Sequence, residues 1–121
     1  MPSEDTIRRL LAGYLEISGV VAALLVSGDG LVISSAGEEE VDTEVISALV
    51  ADTVTAGQRF GQEAEVGPVD TMVIEYKKMT LLLAPFEEGM ILVIAASPGT
   101  VELNTQILSP QRTGDLGGSD T

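Results

Sequence analysis

The side chains of this chain that could do chemistry are serines beside a turn and carboxylates in short runs. Ser27, Ser34 and Ser35 flank the triplet Gly28-Asp29-Gly30. A serine hydroxyl becomes a nucleophile only when a base takes its proton. The chain has no His and no Cys. That removes the commonest general base, the commonest transition-metal ligand and the thiolate nucleophile. Gly28-x-Gly30 lacks the third glycine of a dinucleotide fingerprint and leads into a strand, so it reads as a hairpin turn. No Gly-x-x-x-x-Gly-Lys-Ser/Thr loop is present to cradle a nucleotide phosphate. The acidic stretch Ala36-Gly-Glu-Glu-Glu-Val-Asp42 offers oxygen ligands, but its spacing matches no calcium-loop pattern and it reads as a solvated loop. The expectation is a protein that is not an enzyme, with no catalytic residue, no metal and no cofactor.

Composition narrows the partners. With 121 residues the chain has room for one core, and its 45% hydrophobic content suits a packed interior. The net charge of −13 argues against nucleic acid and against anionic membranes, both of which attract clustered Lys and Arg. It leaves a basic protein partner open. The amino terminus is acidic and lacks an apolar secretory core, and no apolar run reaches the ~18 residues of a spanning helix. A cytoplasmic location is expected.

The elements follow from periodicity. Ser3 caps a helix in which Ile7, Leu10, Leu11, Tyr14, Leu15 and Ile17 share one face, and Ser18-Gly19 ends it. Val20 to Val26 is apolar throughout, as in a strand covered on both faces. The Gly28-Asp29-Gly30 turn returns the chain into an edge strand, Leu31 to Ser35. Asp42 or Thr43 caps a long helix from Glu44 to Gln62, with Val45, Ile46, Leu49, Val50, Thr53, Val54, Gly57 and Phe60 on its core face. A second stripe on that helix, Ser47, Ala48, Ala51, Thr55 and Gln58, is small where a solvated face would carry Glu and Lys. Small residues let another helix approach, and the same helix of a second copy is the natural mate; the plainer reading is that Ala is a good helix former. After Gly67-Pro68, Val69 to Tyr76 alternates as a half-buried strand. Met79 to Ala84 and the apolar Met90 to Ala96 complete the sheet, the last of these in its centre. A short helix from Thr100 to Leu108 and a flexible tail over 109–121 close the chain, so the domain is expected over 3–108.

The order helix, hairpin, long helix, three-stranded meander, short helix resembles the roadblock/dynein light chain family. Gly19-Val20 entering the first strand, the Asp29-Gly30-Leu31 turn, the long helix and the Pro85-Phe86-Glu87-Glu88-Gly89 turn carry the resemblance, over about residues 5 to 108. It implies an α+β sandwich of order α-β-β-α-β-β-β-α, like the profilin fold. The five-stranded antiparallel sheet would have the long helix on one face and the terminal helices on the other. It also implies a homodimer, formed by pairing the third strand with its copy and packing the long helices together. Ser47, Ala48, Ala51, Thr55, Met72 and Ile74 would then lie at the dimer interface. Bacterial and archaeal members often work beside Ras-like small GTPases, and can stimulate hydrolysis by repositioning the switch segments without an arginine finger. On that basis Asp52, Arg59 and Gln62 would meet the partner, although Arg59 also reads as a solvated helix end. The alternative is a scaffold or adaptor for motor or signalling complexes that ignores the nucleotide state.

Overall fold

The computed structural model describes residues 3–37 and 42–99. The expected helix after Thr100, the tail, and Glu38 to Val41 of the acidic loop lie outside them.

Helix α1 spans Glu4–Leu15, with the Ser3 hydroxyl accepting from the Thr6 amide and Glu4 and Asp5 in its first turn. It ends two to three residues before the Ser18-Gly19 signal, and Gly19 makes the turn into the sheet at φ 94°. Strands β1 (Val20–Val26) and β2 (Val32–Gly37) form the first hairpin. Helix α2 spans Thr43–Glu63, about 31 Å at ~1.5 Å per residue. The Asp42 carboxylate accepts from the Val45 amide and caps it. Strands β3 (Met72–Glu75), β4 (Thr80–Pro85) and β5 (Ile91–Ala96) follow, with a 3-10 turn at Glu87–Gly89.

The five strands form one antiparallel sheet in the order β2-β1-β5-β4-β3. Apolar β1, β4 and β5 occupy its interior positions, as residues that pack on both faces must. Strand alternation divides the core in two. Ala23, Leu25, Leu82, Leu92 and Ile94 pack with Ile7 and Leu11 of α1 on one face. Ala22, Leu24, Leu81, Leu83 and Val93 pack with Val50 and Val54 of α2 on the other. Tyr14 is half-buried against the α1-side cluster, and burial raises its phenol above the ordinary value. The α+β architecture of one sheet between helices is the expected one.

Strand β3 is shorter than the alternation of Val69 to Tyr76 suggests. The Val69 amide donates to the Gln58 side-chain oxygen at 2.8 Å, so α2 holds the start of that segment and the ladder begins at Met72. Gly57 and Gly61 make this close approach possible. A Cβ on Gly57 would sit 3.1 Å from Val69 Cγ2 and 3.3 Å from Met72 Sδ, and one on Gly61 would collide with the Gly67 carbonyl.

Candidate protein-protein interface

The β3 edge of the sheet and one exposed helix flank are the surfaces with something to offer a partner. Their geometry follows from how α2 is rotated, and that rotation differs from the one the apolar pattern suggests. Val50 and Val54 are buried as expected, but Val45, Leu49 and Phe60 are exposed, Leu49 at 60% and Phe60 at 69%. Ser47 and Ala51, from the small stripe, are instead 2% and 6% exposed within the single chain.

The cause is the first hairpin. A Cβ on Gly30 would lie 3.3 Å from Ala48 Cα, 3.5 Å from the Ser47 carbonyl and 3.6 Å from Ala51 Cβ. The turn backbone therefore takes the close approach that small residues permit. The Ser47 hydroxyl donates to the Glu44 carbonyl at 3.0 Å and needs no outside partner. With the small side held against the hairpin, the larger side chains swing outward. Ser47 and Ala51, expected at a dimer interface, thus present almost no surface outside the single chain. Ala48 and Thr55 stay exposed on the flank nearest the hairpin. The other flank adjoins Gly57, and so the β3 segment. Helical spacing places Leu49, Ala56 and Phe60 beside it, with Val45 one turn before Leu49.

The stripe Val45, Leu49, Ala56, Phe60 has a symmetry of its own. Val45 stands as far before the Asp52–Thr53 bond as Phe60 stands after it, and Leu49 matches Ala56 in the same way. Two antiparallel copies of this helix crossing at that bond would set Val45 against Phe60 and Leu49 against Ala56, large opposite small. Such self-complementarity is what a two-fold interface demands.

Strand β3 is the last strand of the sheet on that side. The Tyr76 amide donates to the Met79 carbonyl at 2.7 Å and closes the β3–β4 turn. Antiparallel alternation from that pair commits the amides of Ile74 and Met72 to Leu81 and Leu83 of β4, and turns those of Val73 and Glu75 outward. The side chains of Met72 and Ile74 pack in the α2-side cluster. Of the strand residues expected at an interface, Met72 and Ile74 thus face the core, and the outward edge of the strand is the backbone of Val73 and Glu75. Val73 is an exposed apolar side chain.

The expected partner residues Asp52, Arg59 and Gln62 are all exposed on α2, on its crest and its hairpin-side flank. The chemistry available here is contact. Among the described residues no group of three or more carboxylates is placed to hold a metal ion, and no helix is long and apolar enough to cross a membrane. Sequence reasoning missed the outward turn of Leu49 and Phe60. The signal available was the glycine in the hairpin turn, which marks where a helix must come close.

Known proteins share this fold. The family model of the Roadblock/LC7 domain matches residues 6–96. An uncharacterized protein of Methanocaldococcus jannaschii is 29% identical over 91 residues, 75% of this chain and 77% of that protein. Among solved structures, MglB of Myxococcus xanthus superposes with a TM-score of 0.74 at 21% identity, covering 97% of this chain and 99% of that one. A Roadblock/LC7 domain from Streptomyces avermitilis superposes with a TM-score of 0.73 at 23% identity, covering 82% and 86%. At these identities the superpositions speak to fold. The matched family is one of non-catalytic regulators and adaptors.

Proposed function

This chain belongs to the Roadblock/LC7 domain family, and from that premise we propose that it acts as a homodimeric, non-catalytic platform for a Ras-like small GTPase. The observation that carries the reading is the surface shared by the β3 edge and the apolar flank of α2. Outward amides at Val73 and Glu75 can extend the sheet across a two-fold axis, and the self-complementary stripe Val45, Leu49, Ala56, Phe60 can close over it. The two long helices then form one broad surface, carrying Asp52, Arg59 and Gln62 from each copy.

The platform supplies contacts and no reacting group. Any stimulation of hydrolysis would come from holding the switch segments in a productive arrangement, since positioning alone lowers the barrier of phosphoryl transfer. The resemblance to MglB structures, one of them in a tetrameric arrangement, supports self-association and a GTPase partner at a coarse level.

The test is binding of small GTPases from the source organism, loaded with GDP or a non-hydrolysable GTP analogue. Binding that prefers one nucleotide state, with two chains per GTPase, supports the reading. Absence of binding in both states removes it. Binding indifferent to nucleotide favours a scaffold of the same fold.

A further inference from the structure

Among the described residues one buried side-chain oxygen lacks a hydrogen-bond partner, the hydroxyl of Thr71. It stands one residue before β3, directly ahead of Met72. A covered hydroxyl left without a partner is costly, and native structures keep few of them. Thr71 as a residue is only half-buried, so a turn about χ1 exchanges its methyl and hydroxyl and brings the oxygen to the strand edge. Its acceptor can then come from outside the chain.

What reaches it depends on where a second β3 lies. Two antiparallel copies of a strand are related by a two-fold axis, and outward amides bond only where outward residues face each other. Val73 and Glu75 carry those amides, so the axis passes through a residue, and Met72, Val73, Ile74 and Glu75 are the choices within β3. With the axis on Met72, Glu75 would face Val69, whose amide is already given to Gln58. With the axis on Glu75, two like charges would stand directly opposite and repel. An axis on Ile74 would set each Glu75 carboxylate against the exposed apolar Val73 of the other copy. An axis on Val73 sets Val73 against Val73, Met72 against Ile74, and Glu75 against Thr71. Apolar then meets apolar on both faces of the sheet, and an exposed carboxylate meets the hydroxyl that lacks an acceptor.

Helix α2 leads to the same place independently. A dimer has one axis, and the stripe Val45, Leu49, Ala56, Phe60 puts it between Asp52 and Thr53. That point lies about 7 Å before Gly57 along the helix. Gly61 lies beside Gly67, and Gly57 beside Val69 and Met72, so earlier residues of α2 stand beside later residues of the strand. A distance of about 7 Å spans two residues of strand. Counted from the level of Val69 and Met72, it ends between Met72 and Ile74, with Val73 in the middle. We propose that two copies join with Val73 on the two-fold axis, and that the Thr71 hydroxyl of each donates to the Glu75 carboxylate of the other. The inference rests on the homodimer reading above and adds which residues face which.

Cysteine cross-linking reads the register cleanly, because the chain has no Cys of its own. Hydrogen-bonded residues directly opposite each other lie about 5.5 Å apart between Cα atoms, within reach of a disulfide, whereas diagonal neighbours lie at about 7–8 Å. Val73→Cys should therefore give a covalent dimer under mild oxidation, and Ile74→Cys and Glu75→Cys should not. Thr71→Val should weaken the dimer about tenfold, and Thr71→Ser, which keeps the hydroxyl, should restore it. Adding Glu75→Ala to Thr71→Val should cost little more than either change alone, since both remove the same bond. Light scattering on each variant gives the mass. A dimer in which Val73→Cys stays uncoupled, or in which Ile74→Cys or Glu75→Cys cross-links instead, overturns the register and leaves the homodimer reading standing. So does a Thr71→Val dimer of unchanged affinity, or fully additive losses in the double variant. A single-chain mass for the unmodified protein at every concentration overturns both.

Discussion

The sheet has two edges, and they are built differently. Strand β2 carries an irregularity. Val26 pairs with Val32 while Leu25 pairs with Ser34, which leaves Ile33 as an extra residue. Such a bulge bends the strand and interrupts the row of groups a neighbouring strand would need. Ile33 turns instead to a crevice lined by Ile7 and Arg8 of α1, and α1 lies across β1 and β2. Strand β3 has no bulge. Its four residues pair in unbroken register with β4, its outward amides lie in line, and Val73 leaves an apolar side chain exposed. Bulged and flanked by a helix, one edge is closed to pairing; the other is a short, regular template. Open edges are hazards unless a specific partner uses them, and the apolar flank of α2 lies on the β3 side.

That contrast can be broken most forcefully from inside the fold. Ala51→Glu places a carboxylate where Ala51 is 6% exposed, against the Gly30 turn. A buried charge without a partner should lower the melting temperature by more than about 10 °C. Glutamate at the exposed Ala48 should cost far less. Equal losses would show that the small stripe does not hold the hairpin.

Val73→Pro acts on the edge alone. Proline removes an amide that faces outward, and edge strands tolerate it there. One hydrogen bond is lost from each copy, so dimer affinity should fall by about 30-fold while the melting temperature of dilute protein hardly moves. Ile74→Pro is the contrast, because that amide is committed to β4; it should destabilise the chain itself. Analytical ultracentrifugation and thermal melts separate the two effects.

Phe60→Glu tests the helix flank beside that edge. The side chain is 69% exposed in one chain, so monomer stability should be unchanged. If Phe60 packs on Val45 of a second copy, dimer affinity should drop about tenfold. An unaltered affinity would confine the contact to the strands.

The smallest effect is expected at the end of α2. The Val66 amide donates to the Gly61 carbonyl and that of Glu65 to Gln62, with Glu65 at φ 58° where such a helix ending favours glycine. Glu65→Gly should stabilise the chain by about 0.5–1 kcal/mol, read by denaturant titration. It would also firm the approach to β3 without touching β2.

The sheet was legible because its cues are local. Unbroken apolar runs marked β1 and β5 as central, and glycine-containing turns marked the β1–β2 and β4–β5 hairpins. The rotation of α2 was not legible. Val45, Leu49 and Phe60 look like core by hydrophobicity, and only the nearness of Gly30 to Ala48 and Ala51, a contact between distant residues, reverses the helix. The bulge at Ile33 was equally hidden, because nothing in Leu31-Val32-Ile33-Ser34 distinguishes a paired residue from an extra one. Strand β3 was overdrawn because alternation from Val69 onward says nothing about Gln58, which takes the Val69 amide. Strand β3 is an edge whose outward backbone belongs to Val73 and Glu75, and the burial of Ser47 and Ala51 within the chain depends on the same distant turn.

Light scattering on the unmodified chain at several concentrations tests the central claim most directly. Twice the 12.6 kDa chain mass, held on dilution, is the expected result. A mass of one chain at every concentration would contradict it, leaving the β3 edge and the apolar flank of α2 without the second copy that their geometry fits.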